Sequence, residues 1–319
     1  MLHRFIRLCK VALSSNGLFR NWFTVGLKYF LVSRKLISLR DIVVKCRDGV
    51  EASIPYTIYS LITNAYYEKV IEDFSCKDRK VITKRFAIPL RELETSDAIV
   101  DALKRGWEYD EICGAWVKDG VRFKHMRWVI IEVFDLGEYR QLDVKNKVVV
   151  DVGAAYGDST IYFLLRGAKK VIAVEPCPEE FKELLENLKL NNAVDKVTPI
   201  NAALASKHSR ISVECPSVKA FIDTVTLEDI AKVVNIEEAV LKMDCEGCEY
   251  DVILNDYEHV RLFNEVYFEY HAFATGISID ILLKRLSKDY KCEIVSDEEF
   301  YRRHRYSEKF LGLVKCVRV

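Results

Sequence analysis

The residues best suited to chemistry lie in the segment Asp244-Cys-Glu-Gly-Cys-Glu249, which follows an apolar run from Ala239 to Met243. Asp244 and Glu246 are two residues apart, so their side chains point to one face if the backbone stays extended. Such a pair could take a proton from a hydroxyl, or hold a divalent ion such as Mg²⁺ that polarises it. The alternative is that Glu246 and Glu249 only cap loops and a following helix.

A second group of candidates ends the next apolar run, where Glu269 and His271 belong to Phe268-Glu-Tyr-His271. Histidine titrates near neutral pH, which suits a general base, although a lone histidine at a strand end is often only hydrogen-bonded structure. The basic stretch Arg302-Arg-His-Arg305 could clamp a phosphate or carboxylate, but a charge run is usually a solvated face. The predicted catalytic residues are Asp244, Glu246 and His271.

These groups need elements that hold a second reactant beside them, and an upstream segment has the pattern of a nucleoside site. The strand-like run Val148–Val150 leads to Asp151, and the turn Gly153-Ala-Ala-Tyr-Gly157 opens a predicted helix. A second strand, Val171–Val174, ends in Glu175, where an α/β nucleoside site places a carboxylate on the ribose. The glycine spacing differs from the G-x-G-x-x-G of dinucleotide sites.

The string D-V-G-x-x-x-G-D from Asp151 to Asp158 resembles the first motif of class I S-adenosylmethionine (SAM) methyltransferases. Taken with Thr226–Ile230, the K-M-D-C-E-G-C-E segment that starts at Lys242, and Phe310–Val314, it resembles the FkbM family of SAM-dependent O-methyltransferases. The resemblance covers roughly residues 125 to 319. It implies an α/β, Rossmann-like fold with a seven-stranded, mostly parallel sheet whose last strand is antiparallel.

The resemblance also implies which residues surround SAM, with Glu175 at the ribose and Asn201 near the adenine. The implied cofactor-binding residues are Asp151, Gly153, Ala154, Gly157, Asp158, Ser159, Glu175 and Asn201. The implied reaction is methyl transfer to a hydroxyl of a glycan, glycolipid or secondary metabolite. Two alternatives stay open: an RNA methyltransferase, and a non-catalytic SAM-fold module that binds a partner protein.

Length and charge narrow these alternatives. The chain has 319 residues, which is enough for a catalytic domain at 141–319, an accessory α+β region at 41–140 and a basic segment at 1–40. Lysine plus arginine equals aspartate plus glutamate, 48 each, so no global field attracts nucleic acid. A polyanionic substrate is therefore not favoured, and the partner that the resemblance implies is a small-molecule or glycan acceptor. The sequence sets no oligomeric state.

The ten cysteines are scattered, apart from the pair Cys245 and Cys248. This pattern predicts a reducing cytoplasm in which cysteine serves as a small core residue, with a disulfide or redox pair left open. A zinc site would need a second pair at similar spacing, so no metal ligands are assigned.

Residues 1–40 carry eight lysines and arginines and no acid, interleaved with large apolar residues. The pattern is typical of a pair of amphipathic basic helices. Such helices could touch anionic lipid, grip an anionic or glycosylated substrate, or simply cap the domain with a solvated basic face. No run reaches the ~18 apolar residues of a spanning helix. The expected location is cytoplasmic, with peripheral membrane contact through residues 1–40 as the open alternative.

Overall fold

The computed structural model describes residues 13–96, 98–235 and 238–319. The chain divides into two compact units, one that ends at Asp135 and one that runs from Leu136 to Val319. The second unit begins five residues before the boundary expected at 141. These added residues include Tyr139, which contributes to the candidate site.

The first unit is built of short helices and small antiparallel sheets. Its helices are Trp22–Ser33 (α1), Tyr56–Tyr67 (α2), Leu90–Thr95 (α3), Ile99–Lys104 (α4) and Trp128–Phe134 (α5), with a 3₁₀ turn at Ser15–Gly17. Its strands are Asp41–Lys45 (β1), Glu51–Pro55 (β2), Asp73–Ser75 (β3), Lys80–Ile82 (β4), Ala87–Pro89 (β5), Glu108–Asp110 (β6), Ala115–Lys118 (β7) and Val121–Phe123 (β8). They form the hairpin β1–β2 and two three-stranded sheets, β3–β4–β5 and β6–β7–β8.

Part of the predicted pair of basic helices falls on residues 1–12, which lie outside the described residues. Within residues 13–40 the basic segment forms α1 after the 3₁₀ turn. The aromatic residues of the accessory region pack inside it: Trp107 and Trp116 are buried, and Trp107 donates its indole N–H to Asp135 at 2.8 Å. These two rings are therefore core residues.

The second unit alternates strands and helices. Its strands are Val148–Val152 (β9), Lys170–Val174 (β10), Val197–Ile200 (β11), Ala203–Leu204 (β12), Arg210–Glu214 (β13), Lys219–Val225 (β14), Ala239–Met243 (β15), Glu265–His271 (β16), Tyr290–Ile294 (β17) and Leu311–Arg318 (β18). Its helices are Asp158–Leu165 (α6), Pro178–Leu190 (α7), Leu227–Ala231 (α8), Cys248–Asn255 (α9), Tyr257–Val260 (α10), Ala272–Thr275 (α11), Ile279–Leu286 (α12) and Glu298–His304 (α13), with a 3₁₀ turn at Val194–Lys196.

One seven-stranded sheet organises this unit, in the order β11-β10-β9-β15-β16-β18-β17. β18 runs antiparallel to both of its neighbours, and the pairs from β11 to β16 are parallel. The predicted Rossmann-like fold is confirmed. The strand order reverses between β9 and β15, and a crevice forms at the carboxyl ends of the strands at such a reversal. The segments after Val152 and Met243 therefore meet there.

The central strands are buried on both faces, as expected for a parallel sheet covered by helices. All residues of β15 and β16 are buried, including Lys242, Glu265, Glu269 and His271. A charged group in such a place is costly unless it has a partner. These buried charged residues therefore need partners, and they are candidates for the functional site.

Four disulfides correct the prediction that the cysteines are reduced core residues. The bonded pairs are Cys46–Cys76, Cys177–Cys215, Cys245–Cys248 and Cys292–Cys316. The pairs escape sequence reasoning because most partners meet only in the fold; Cys292 and Cys316, for example, face each other across β17 and β18. The compartment inferred from cysteine usage therefore loses its support. Among the described residues, no helix is long and apolar enough to cross a bilayer.

Candidate functional site

The glycine turn after β9 packs directly on the end of β15. Gly153 and Gly157 both have left-handed backbone, with φ of +71° and +82°. A Cβ at Gly153 would lie 1.7 Å from the backbone oxygen of Asp244. Only glycine permits this approach, and it brings the turn against the loop that carries the acidic candidates.

A buried ion pair between Lys242 and Asp151 contacts the backbone of the glycine turn. Lys242 Nζ lies 3.1 Å from Asp151 Oδ1 and donates to the backbone oxygen of Gly153 at 2.8 Å. The other carboxylate oxygen of Asp151 accepts from Ser159 Oγ at 2.7 Å and Thr160 Oγ1 at 2.6 Å. Burial alone would lower the pKa of Lys242, but the nearby carboxylates, Asp151 foremost, raise it. Asp151 therefore fixes β9, β15 and the start of α6 together.

Glu175 closes the other side of the turn. Its Oε2 accepts from the N–H of Ala155 at 2.8 Å, and its Oε1 accepts from the N–H of Cys177 at 2.7 Å. Burial raises the pKa of Glu175 to about 8. Asn201 donates from Nδ2 to the Glu175 carbonyl at 2.8 Å, so the ends of β10 and β11 are joined. These contacts place Glu175 and Asn201 side by side.

A third buried acid lies in the first turn of α6. Asp158 is 4% exposed, and its Oδ1 has no hydrogen-bond partner among the described residues. Burial raises the pKa of Asp158 to about 7. A buried polar atom without a partner is uncommon and is expected to meet a bound group.

The acidic candidates meet around His271. Its Nε2 lies 3.8 Å from Asp244 Oδ1, 3.7 Å from Glu269 Oε2 and 3.5 Å from Glu246 Oε2. On the other side of the ring, Nδ1 lies 3.1 Å from Glu249 Oε1, which also accepts the backbone N–H of His271 at 2.9 Å. The fully buried Glu249 thus fixes the ring so that Nε2 faces the acids. We call Asp244, Glu269 and His271 the acid–histidine cluster.

The three residues of this cluster differ in the direction in which their surroundings shift their pKa values. Burial would lower the pKa of His271, but the bond to Glu249 and the surrounding carboxylates raise it to about 9. Burial and the neighbouring Asp244 raise the pKa of Glu269 well above its usual range. Burial opposes ionisation of Asp244 too, yet Lys242 and His271 hold its pKa below the usual range. Within the cluster, ionisation is therefore favoured at Asp244 and disfavoured at Glu269, and His271 carries its proton at neutral pH.

Residues 151–292 match the family model described as the methyltransferase FkbM domain. This part of the chain is an FkbM methyltransferase domain. The recognition made from the glycine turn and the K-M-D-C-E-G-C-E segment is thereby confirmed.

Individual proteins match either a shorter stretch of the chain or a similar stretch at low sequence identity. Uncharacterized protein 158B of Sulfolobus islandicus rod-shaped virus 1 is 34% identical over 111 residues, which is 35% of this chain and 54% of that protein. The chain thus spans about half the length of this curated relative. The solved structures to which the chain is similar include a Clostridium thermocellum protein named as an rRNA-methylase, with 10% identity and a TM-score of 0.39; the match covers 57% of this chain and 92% of that one. They also include SMU.1697c of Streptococcus mutans in complex with SAH, with 13% identity and a TM-score of 0.37; the match covers 56% of this chain and 92% of that one.

The FkbM domain brings Asp244 and His271 together as the sequence suggested, but it places Glu246 differently. The backbone is not extended through this position, since Glu246 has φ of +55° and its side chain is 77% exposed. The extended backbone expected between Asp244 and Glu246 is therefore wrong, although the Glu246 carboxylate still lies 3.5 Å from His271 Nε2. Among the described residues, ligand atoms of Asp244, Glu269 and His271 lie within 4.8 Å of one another and could share a cation; the two other such groups contain cysteines held in disulfides. His271 would have to lose its proton before it could bind an ion, and a donor set with a neutral imidazole suits Fe²⁺ or Zn²⁺ better than Mg²⁺.

Sequence reasoning missed two residues of the FkbM domain's site. Lys242 had a signal, because a lysine within an apolar strand needs a buried partner. Tyr139 had none: it lies 105 residues before Asp244, whose Oδ2 accepts its hydroxyl at 3.1 Å. Its ring also lies 5.2 Å from the Lys242 ammonium. Tyr139 therefore links the start of the second unit to both the ion pair and the cluster.

Proposed function

We propose that the second unit is a SAM-dependent methyltransferase that acts on a hydroxyl of a glycan, glycolipid or other small molecule. The observation that carries the proposal is the contact of the Gly153 turn with Asp244. It joins a nucleoside-binding turn to an acid–histidine cluster, so a cofactor on the turn would present its reactive end to the cluster.

The residues fit SAM in three places. Asp158 offers a buried carboxylate oxygen without a partner, which suits the cofactor's ammonium group. Glu175 uses one lone pair on each oxygen for backbone N–H groups, and the remaining lone pairs can accept from ribose hydroxyls. Asn201 donates to the Glu175 carbonyl at 2.8 Å, at a position that the family resemblance assigns to the adenine. SAM supplies an electrophilic methyl group on its sulfonium.

The chain's own residues would orient and deprotonate the acceptor. The ionised Asp244 accepts the hydrogen of the acceptor hydroxyl, while Tyr139 and His271 hold the carboxylate in place. Bound SAM would supply the methyl group and leave as S-adenosylhomocysteine, and Asp244 would take the proton that the acceptor hydroxyl loses. Alignment of the oxygen with the departing sulfur supplies much of the rate. Asp244 is a weak base, so its own share lies toward the lower end of general-base effects.

A pocket near the cluster suits the acceptor. It is lined by Glu138, Arg140, Tyr267, Glu299 and Arg303, with other residues of the same unit. Glu138 precedes Tyr139, and Tyr267 lies on the same face of β16 as Glu269. A lining of both charge signs with an aromatic side chain supports a polar, hydroxyl-rich acceptor rather than a polyanion. It also gives the basic stretch at 302–305 a proposed part in acceptor binding.

Replacing the proposed base should slow transfer without weakening the cofactor. We expect Asp244→Asn to lower kcat about 10²-fold while the Kd for S-adenosylhomocysteine (SAH) changes little. Transfer of a tritiated methyl group from SAM to glycans, glycolipids and RNA measures kcat, and calorimetry measures the Kd for SAH. Glu246→Gln is the matched control, because this exposed carboxylate should matter only a few-fold. Transfer confined to RNA, or equal losses in both variants, would contradict the proposal.

The titration of Glu175 predicts the pH dependence of cofactor binding. In the protein without cofactor, burial raises the pKa of Glu175 to about 8. Ribose hydroxyls donate more strongly to the ionised carboxylate than to the neutral acid. SAH affinity should therefore increase about tenfold from about pH 7 to about pH 9 and level off above that range. In Glu175→Gln this increase should shrink to what the titrations of Asp158 and of the ligand supply. An unchanged pH profile in the variant would remove Glu175 from the ribose site.

A further inference from the structure

Helix α1 and the loop after it expose their apolar residues. Phe23 and Leu27, one turn apart on the helix, are 67% and 50% exposed, and the loop that follows exposes Leu36, Ile37 and Leu39. A surface helix normally turns such a stripe toward the core. Here other residues hold the helix: Val25 and Gly26 are buried, and the Tyr29 hydroxyl lies 2.9 Å from Ser60 Oγ. Folding of the first unit therefore leaves the stripe uncovered.

The same segment of the chain is rich in positive charge. Between residues 13 and 40 the cations are Arg20, Lys28, Arg34, Lys35 and Arg40, all exposed, and the sequence has no acid in that range. Within the described residues, none of the five is paired with a carboxylate. Their charge is therefore available to an outside partner.

The combination of exposed large apolar side chains and unpaired cations favours a particular partner. An anionic lipid surface accepts apolar groups at the depth of its acyl chains and cations at its headgroups. A soluble glycan or nucleic acid would satisfy the cations but would leave Leu36, Ile37 and Leu39 in water. No described helix could span a bilayer, so the contact would be peripheral.

We propose that Phe23, Leu27, Leu36, Ile37 and Leu39, with Lys28, Arg34 and Lys35, form a surface that binds anionic membranes. This lipid-binding surface lies in the first unit and does not depend on methyl transfer by the second. It would concentrate the enzyme at a bilayer, where acceptors with a lipid part are found.

Vesicle co-sedimentation of the full chain tests the proposal. We expect binding to vesicles of phosphatidylcholine mixed with phosphatidylglycerol, little binding to phosphatidylcholine alone, and weaker binding as salt increases. The double variant Phe23→Ser/Leu27→Ser should weaken binding about tenfold or more, because it removes two inserting side chains. Arg34→Glu/Lys35→Glu should weaken it similarly through the headgroups.

The control uses apolar residues outside the surface. Phe221 is 67% exposed, like Phe23, and Val218 is 53% exposed. Val218→Ser/Phe221→Ser should leave vesicle binding unchanged. Equal loss in this control, no binding to anionic vesicles, or equal binding to neutral ones would overturn the proposal. So would light scattering in which Phe23→Ser/Leu27→Ser converts a dimer to a monomer, because the stripe would then be a contact between copies of the chain.

Discussion

Replacing Gly153 by alanine should abolish cofactor binding and destabilise the second unit. The new Cβ would lie 1.7 Å from the Asp244 carbonyl oxygen; the position of a Cβ is set by its own backbone, and the oxygen it meets is a backbone atom. No side-chain rotation relieves such a clash, so β9 and β15 must separate at their ends. Overpacking together with the left-handed conformation gives an expected cost of about 2–4 kcal/mol in the free energy of unfolding. Calorimetry with SAH and thermal unfolding measure the two effects.

Gly276→Ala is a closely matched control for this substitution. Gly276 has the same φ of +71°, but a Cβ there would meet nothing within 4 Å. It should therefore show only the backbone cost of about 1–2 kcal/mol and retain SAH binding. If both variants bind SAH equally well, close contact between the turn and Asp244 is not what forms the site.

Replacing Lys242 by methionine should produce the largest loss of stability. Methionine fills a similar volume but leaves Asp151 charged and buried, with only the Ser159 and Thr160 hydroxyls beside it. Breaking a buried pair on one side costs about 3–5 kcal/mol. For a unit of this size, that loss should lower the Tm by about 10 °C.

The double variant Lys242→Met/Asp151→Asn separates charge from packing. With the buried charge removed, much of the lost stability should return, since an asparagine oxygen can still accept from Ser159 and Thr160. Urea unfolding of the four proteins in this cycle measures the coupling between the two residues. If the single Lys242→Met change costs less than about 0.5 kcal/mol, the ion pair does not hold the turn.

Much of this site could be predicted because its parts are local. The run from Val148 to Gly157 contains a strand, a tight turn and a helix start in one stretch, and Glu175 follows at a fixed distance. In the fold, β15 and β16 are neighbouring parallel strands, so Asp244 just after β15 comes close to Glu269 near the end of β16. Such features depend on hydrophobic periodicity and turn chemistry, which a sequence displays directly.

What could not be predicted depends on distant partners or on a single dihedral angle. Tyr139 reaches Asp244 across 105 residues, and Cys177 finds Cys215 across 38. The Glu246 side chain does not point where an extended backbone would place it, because its backbone is left-handed. A glutamate rarely adopts this conformation, so its residue type does not predict it. Glu249 accepts the Gly247 N–H at 3.0 Å, as a loop cap would, and its other oxygen also orients His271, because a buried carboxylate needs donors.

A crystal structure of the protein with SAH tests the central claim most directly. We predict that the ribose hydroxyls bind Glu175, the ammonium group meets Asp158, and the sulfur faces the cluster of Asp244, Glu269 and His271. SAH bound away from the Gly153 turn, or with its sulfur pointing away from Asp244, would contradict the proposed methyltransferase site.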